Sequence, residues 1–285
     1  MTEQILGVIG GSGLYAMKDL NVVDRVTVET PFGEPSDQII VGDLEGARMA
    51  FLPRHGVGHR ITPSEINYRA NIYAMKKLGV ERIISVSAVG SMKEEIIPGH
   101  IVVPDQFIDR THRRIGTFFG NGIVGHVSLA DPICDELHEI VLESSQAAGA
   151  TVHPGGTYIC IEGPQFSSRA ESFLYRSWGV EVIGMTNVTE AKLAREAGIC
   201  YVTIALATDY DCWHQEEEAV TLEAVLEIMH NNVELAQAIL KEIVKKPVLQ
   251  RSCFCGEAAQ HAIVTDRALI PDQLKKDLEV LFGKL

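Results

Sequence analysis

From Ile199 to Leu206 the chain is apolar apart from Thr203 and partly β-branched, the pattern of a strand buried on both faces. Ile5–Ile9, Arg82–Val89 and Ile101–Val103 follow the same plan, and each breaks into glycine, proline or other small residues. Asp37–Val41 and Ala47–Leu52 read as paired strands, with shorter ones at Arg25–Val28, Gly156–Ile161 and Val180–Met185. Helical spacing falls between them: Pro63–Leu78 with Gly79 at C′, Pro132–Ala148, Arg169–Trp178, and Thr186–Ala197 ending at Gly198. Ser168 caps the third of these, and Glu171 three residues on completes a capping box. A longer helix is predicted over Thr221–Val244 and a last one from Pro271. Residues 109–126 show no period; a loop of that length is functional or crosses to a neighbouring subunit. Strands alternating with helices make this an α/β chain.

Composition narrows the picture further. The 285 residues can bury a full core, as one large domain or two small ones. A formal net charge of −13, with no basic run, opposes nucleic acid and anionic membranes as partners. An anionic substrate must then be held by local cations and backbone amides. No targeting signal or membrane-length apolar segment is visible, and six cysteines suit a reducing cytoplasm.

The strand ends carry the candidate chemistry. Gly10-Gly11-Ser12-Gly13 follows the first strand, where amides and a hydroxyl can close on an anion. Gly11-x-Gly13-x-x-Ala16 formally matches the dinucleotide fingerprint, but the helix that motif needs does not follow. Arg54-His55-Gly56 ends another strand and resembles an anion clamp; an exposed surface pair is the competing reading. His55, His59 and Arg60 lack a nearby carboxylate or cysteine, which argues against a metal there. Phe166, in the turn Glu162–Ser168, suits stacking on a flat ligand or core packing. Asp209 and Asp211 lie at spacing two at the end of a strand that reads as buried on both faces, so both acids can address one ligand edge; a solvated turn is the competing reading. After Pro247 the tail changes character. Cys253, Cys255 and His261 are weak metal ligands at their spacing, and a redox pair or buried thiols fits better.

Together these segments resemble the purine nucleoside phosphorylase superfamily, in its trimeric branch, and there the S-methyl-5′-thioadenosine phosphorylases. The matching stretches are Gly10–Leu14, Thr30–Gly33, Arg54–Gly56, Asn67–Asn71, Gly163–Glu171 and Ala207–Trp213. The likeness runs from about Ile5 to Val244. It implies a single α/β domain, 1–246, with a central mixed β-sheet flanked by helices; residues 247–285 form an extension packed on it. It also implies phosphorolysis of a methylthioadenosine-type nucleoside, with inorganic phosphate as co-substrate, no cofactor or metal, and a homotrimer or hexamer.

By position in that family, Ser12, Arg54, His55, Ser87, Ala88 and Thr186 hold phosphate, and Met185 lies under the ribose. Asp209 is the catalytic acid, protonating the purine, and Asp211 binds the base beside Phe166. Ser167 and Leu222 set specificity, with Val225 on the face of Leu222 and His126 closing the 5′ end. Three departures stand out. Ser12 replaces a common Thr, Gly184 replaces an Asn, and Asn187–Glu190 lacks the usual Pro before Glu. Rival readings are a 6-oxopurine nucleoside phosphorylase, a methylthioinosine phosphorylase, and a non-catalytic nucleotide-binding module.

Overall fold

The strand Val80–Ser91 organises the molecule because it has three partners. The computed structural model describes residues 4–214, 222–246, 251–259 and 262–285, with the side chains of Ser12, residues 222–227 and Met229 excepted. In chain order the first elements are β1 (Ile5–Gly10), β2 (Asn21–Val26), β3 (Ile39–Leu44), β4 (Ala47–Pro53), α1 (Tyr68–Lys77) and β5 (Val80–Ser91). Next come β6 (Ile101–Val103), β7 (Gln106–Arg110), α2 (Asp135–Ala147), β8 (Val152–Pro154), β9 (Thr157–Ile161) and α3 (Arg169–Ser177). The last are β10 (Val182–Gly184), α4 (Asn187–Glu196), β11 (Cys200–Tyr210), α5 (Leu222–Val244) and α6 (Asp272–Phe282).

All the described strands join one mixed sheet, in the order β2-β3-β4-β1-β5-β10-β9-β7. Strand β11 leaves this path to pair with β5 and β6, and β8 extends β6. Strands β1, β4, β5 and β11 are mutually parallel. Strand β1 accompanies β5 only as far as the pair Ile9–Ser85. Antiparallel β10 takes over the same neighbour at Gly90 and Ser91. Between those pairings the sheet splits, beside the carboxyl ends of parallel strands, where open α/β sheets place their ligands.

The core fills both faces of β5 and β11 with residues such as Ile83, Ile84, Val202 and Ile204, all fully buried. The apolar runs at Arg82–Val89 and Ile199–Leu206 are these central strands.

Several predicted bounds move: the strand expected at Arg25–Val28 runs Asn21–Val26, and the helix expected from Pro132 starts at Asp135. The helix expected from Pro63 starts at Tyr68, because Asn67 caps it with its side chain on the Ala70 amide. Pro63 instead gives its carbonyl to the Tyr68 hydroxyl at 2.8 Å. The loop expected over 109–126 is a loop from Thr111 onward; only its first two residues, Asp109 and Arg110, belong to the strand Gln106–Arg110, which pairs in parallel with β9. The capping box at Ser168 and Glu171 is present, with both reciprocal bonds. The tail lies against the rest of the chain. Arg251 Nη1 donates to the Gly198 carbonyl at 3.0 Å, and Phe282 stacks on Phe119 at 5.3 Å.

Candidate active site

Where β1 and β5 part, two carbonyls lose their ladder partners, and Arg54 takes them. Its Nη1 donates to Val86 O at 2.9 Å and its Nη2 to Ile9 O at 3.3 Å. The Arg54 amide bonds Gly10 O at 2.9 Å, so the residue closes the ends of β1, β4 and β5 together. Its charge meets Glu190, in the first turn of α4, through Nε to Oε1 at 2.5 Å and Nη2 to Oε2 at 3.1 Å. Both side chains are buried, at 3% and 1% exposure. Burial alone would lower the guanidinium pKa, but the Glu190 carboxylate raises it, so Arg54 stays charged. The sequence presents Arg54 as an open fork. In the fold two edges of that fork are already committed to Glu190.

Glu190 sits there because α4 drops into the split. Asn187, in its first turn, donates to Ser85 Oγ at 3.1 Å and Thr203 Oγ1 at 2.8 Å. Tyr201 donates to Glu190 Oε2 at 2.9 Å, and its burial pushes the phenol pKa well above normal. Thr186 precedes the helix, 3% exposed, and its hydroxyl bonds Asn187 Oδ1 rather than a first-turn amide. The N-terminus of α4 therefore keeps its amides free of a side-chain cap, beside the carboxyl ends of β1, β4 and β5. Ser87 and Ala88 lie on β5 just past the split, with Ser87 Oγ on the Ala88 carbonyl at 3.2 Å.

His55 follows Arg54 with Nδ1 2.8 Å from the Ile61 carbonyl. A carbonyl only accepts, so Nδ1 carries the hydrogen and Nε2 keeps its lone pair. Burial first, then the Arg54 charge, depress its pKa to about 4, so the ring is neutral at pH 7. His59 stacks on it at 4.3 Å between centroids.

The acid pair closes the other side of the fork. Strand β11 bulges between Ala207 and Asp209, which sets Asp209 opposite Gly90 and Tyr210 opposite Ser91. A Cβ on Gly90 would stand 3.2 Å from Asp209 Oδ1 and 3.5 Å from Asp211 Cβ, so both acids flank one glycine. Asp211 is 8% exposed and accepts from Ser167 Oγ at 2.8 Å. Asp209 is exposed, with Thr208 Oγ1 on its Oδ2 at 2.7 Å. Of the two acids, only Asp211 is buried. Phe166 beside Ser167 is 84% exposed, which removes core packing as its role.

Met185 is held by a residue the sequence did not single out. Arg114, its side chain 2% exposed, donates to the Met185 carbonyl, to Glu162 O at 2.6 Å and to Tyr68 Oη at 3.2 Å. The turn at Gly163, with φ of 67°, passes so close that a Cβ there would lie 2.6 Å from Met185 Sδ. Glu162 accepts from the amides of His112 at 2.6 Å and Arg113 at 3.1 Å, and from the Ser64 hydroxyl. Burial raises its pKa less than those donors and the Arg114 charge lower it, to about 2. An arginine within a long loop that alternates with His and Arg gave no signal of its own.

One expected position, His126, is not joined to this cluster. His126 is exposed, its amide bonds Ala262 O at 2.9 Å, and no hydrogen bond or ring contact of the described residues links it to the acids. The side chains of Leu222, Val225 and Ser12 lie outside the described ones; the backbone of Ser12 forms part of the turn Ser12–Tyr15. Cys253 and Cys255 are not an isolated pair, since their sulfurs meet those of Cys134 and Cys200.

The family model described as "Phosphorylase superfamily" matches residues 5–245. The chain belongs to the phosphorylase superfamily. Among its curated relatives, an S-methyl-5′-thioadenosine phosphorylase of Geobacter sulfurreducens is 61% identical, over 99% of each chain. A solved methylthioadenosine phosphorylase from an Antarctic soil metagenomic library superposes with a TM-score of 0.94 at 49% identity, covering 97% of this chain and 98% of that one. A Schistosoma mansoni adenosine/methylthioadenosine phosphorylase, the S12T mutant in complex with methylthioadenosine, gives a TM-score of 0.82 at 36% identity, covering 89% and 95%. Superfamily membership accounts for the single domain and for the mixed sheet flanked by helices.

Proposed function

We propose that this protein cleaves S-methyl-5′-thioadenosine with inorganic phosphate, giving adenine and 5-methylthioribose 1-phosphate. The observation that carries the proposal is the fork between β1 and β5. One wall is the uncapped N-terminus of α4 beside Arg54 and His55; the other is the Asp209–Asp211 pair, of which Ser167 holds Asp211. The curated relatives bear the name of that activity at high identity.

In this reading phosphate enters with charge enough to act as nucleophile. Ser12, Arg54, His55, Ser87, Ala88 and Thr186 position it below C1′, and neutral His55 offers a lone pair to a phosphate hydroxyl. As the C1′–N9 bond breaks, a proton on Asp209 passes to purine N7, and Asp211 accepts from N6. The electron pair leaves with the base, and a phosphate oxygen takes its place on C1′. Met185 lies under the ribose, and Phe166 and Val225 line the pocket. No cofactor takes part. The chain assembles as a homotrimer or hexamer, in which His126 reaches a neighbouring site. It works in the cytoplasm, and no helix of the described residues is long and apolar enough to cross a membrane.

Purified protein incubated with methylthioadenosine, adenosine, inosine and methylthioinosine, with and without phosphate, tests the proposal by chromatography. Adenine released only with phosphate supports it. Binding without turnover leaves the nucleotide-binding module, and preferred cleavage of inosine or methylthioinosine leaves a 6-oxopurine enzyme. Light scattering in the same buffer separates a single chain from three or six.

A further inference from the structure

Four cysteines from three separate parts of the sequence converge at the opposite end of β11 from the acid pair. The sulfurs of Cys134, Cys200, Cys253 and Cys255 all lie within 4.8 Å of one another. Cys200 opens β11, Cys134 caps α2, and the other two sit in the tail at the turn Phe254–Glu257. Cys134, Cys200 and Cys255 are buried, and Cys253 is half-buried. Cys200 Sγ and Cys253 Sγ are 3.3 Å apart.

We infer that this cluster is a structural zinc site with four thiolate ligands. A tetrahedral ion with Zn–S bonds near 2.3 Å sets its sulfurs about 3.8 Å apart, so the four need shifts of no more than about 1 Å. Soft thiolates in a closed tetrahedron select zinc over hard ions. Binding releases four thiol protons and leaves a net charge of two minus on the site. A cation is in place to offset part of it: Arg195 Nη1 lies 3.9 Å from Cys255 Sγ.

The backbone around the cluster is fixed independently of any metal. The Cys134 amide bonds Tyr201 O at 3.1 Å, and the Ser252 amide bonds Glu136 Oε2 at 3.2 Å. Gly198, at φ 65°, lies so close to the tail that a Cβ there would be 3.0 Å from Gly256 O. The ion would tie this tail to the starts of α2 and β11, away from the substrate. The tail pair alone offers two ligands, and His261 lies outside the described residues. Folding supplies the other two.

The test uses the full chain, purified under reducing conditions, stripped with a chelator and dialysed against zinc. Native mass spectrometry and elemental analysis should find one zinc per chain. The Cys253→Ser/Cys255→Ser variant should lose at least nine-tenths of it, and Cys212→Ser should keep it. Cobalt added to the stripped wild-type protein should give the absorption of a tetrahedral cobalt thiolate, a readout that does not depend on the variants folding. Reduced protein that takes up no zinc overturns the inference, as does retention of full zinc by the double variant. Finding the four cysteines as disulfides that re-form in preference to zinc uptake overturns it as well.

Discussion

Ser167 Oγ stands 2.8 Å from Asp211 Oδ2 and donates to it, which fixes the buried carboxylate of the acid pair from a turn 44 residues away. The Cys212 thiol bonds the Ser167 carbonyl at 3.4 Å, so turn and strand end hold each other at two points. Ser167→Ala removes one neutral-to-charged hydrogen bond. The expected result is a rise in nucleoside KM of roughly 10-fold, from a bond worth about 1.5 kcal/mol, with kcat less affected. Ser167→Glu places a second carboxylate against Asp211 and opposes adenine N1, and should abolish use of 6-aminopurines. An unchanged KM in both variants would detach Ser167 from the base site.

Asp209 is the exposed partner, poised opposite Gly90. Asp209→Asn keeps the shape and removes the transferable proton. Turnover of methylthioadenosine should fall about 100-fold, a usual general-acid effect, with binding little changed. Steady-state kinetics on the folded variant checks this. If the wild-type protein cleaves inosine as well as methylthioadenosine, the assignment of both acids fails.

Arg54 and Glu190 are a test of structure and function together. Arg54→Ala leaves a carboxylate buried at 1% exposure without its partner, at an expected cost of about 3–5 kcal/mol in denaturant unfolding. It should also raise the phosphate requirement more than the nucleoside requirement. Arg54→Met/Glu190→Leu should recover most of the stability and none of the phosphate response. Wild-type phosphate dependence in the double variant would remove Arg54 from the phosphate site.

His55 sets an acid limit on stability. Its pKa lies at about 4 in the fold against 6.5 in the unfolded chain, so the unfolded state binds the proton first. The contribution is full above pH 6.5 and is lost as pH falls through 4. Unfolding free energy measured from pH 7 to pH 4 should drop more steeply for the wild type than for His55→Gln. Parallel slopes would show that the ring is as easily protonated folded as unfolded.

In the proposed function the 5′ substituent is assigned to Leu222, at the start of α5. An apolar residue there favours a thiomethyl group over a hydroxyl, by about 10- to 100-fold in kcat/KM for methylthioadenosine over adenosine. Leu222→His should narrow that gap by helping adenosine and harming methylthioadenosine. Equal use of both substrates by the wild type would refute the assignment.

The sequence by itself determined what is local. Apolar runs marked the buried strands of the centre, Ser168 and Glu171 announced a helix start, and glycines marked the strand ends where an anion fits. Burial periodicity, caps and turns act over a few residues, so a linear reading captures them. Meetings at long range were decided by the split in the sheet. Arg54 and Glu190 are 136 residues apart, and they pair because β1 stops following β5 and α4 fills the opening. Arg114 is 71 residues from the Met185 carbonyl that it holds, and β7 shows as a strand only once β9 lies beside it. The four cysteines were visible one by one, but their convergence depends on a tail that folds back across the start of β11. Spacing along the chain carries no information about such contacts, because their energy is gained only when the topology closes the loop between them.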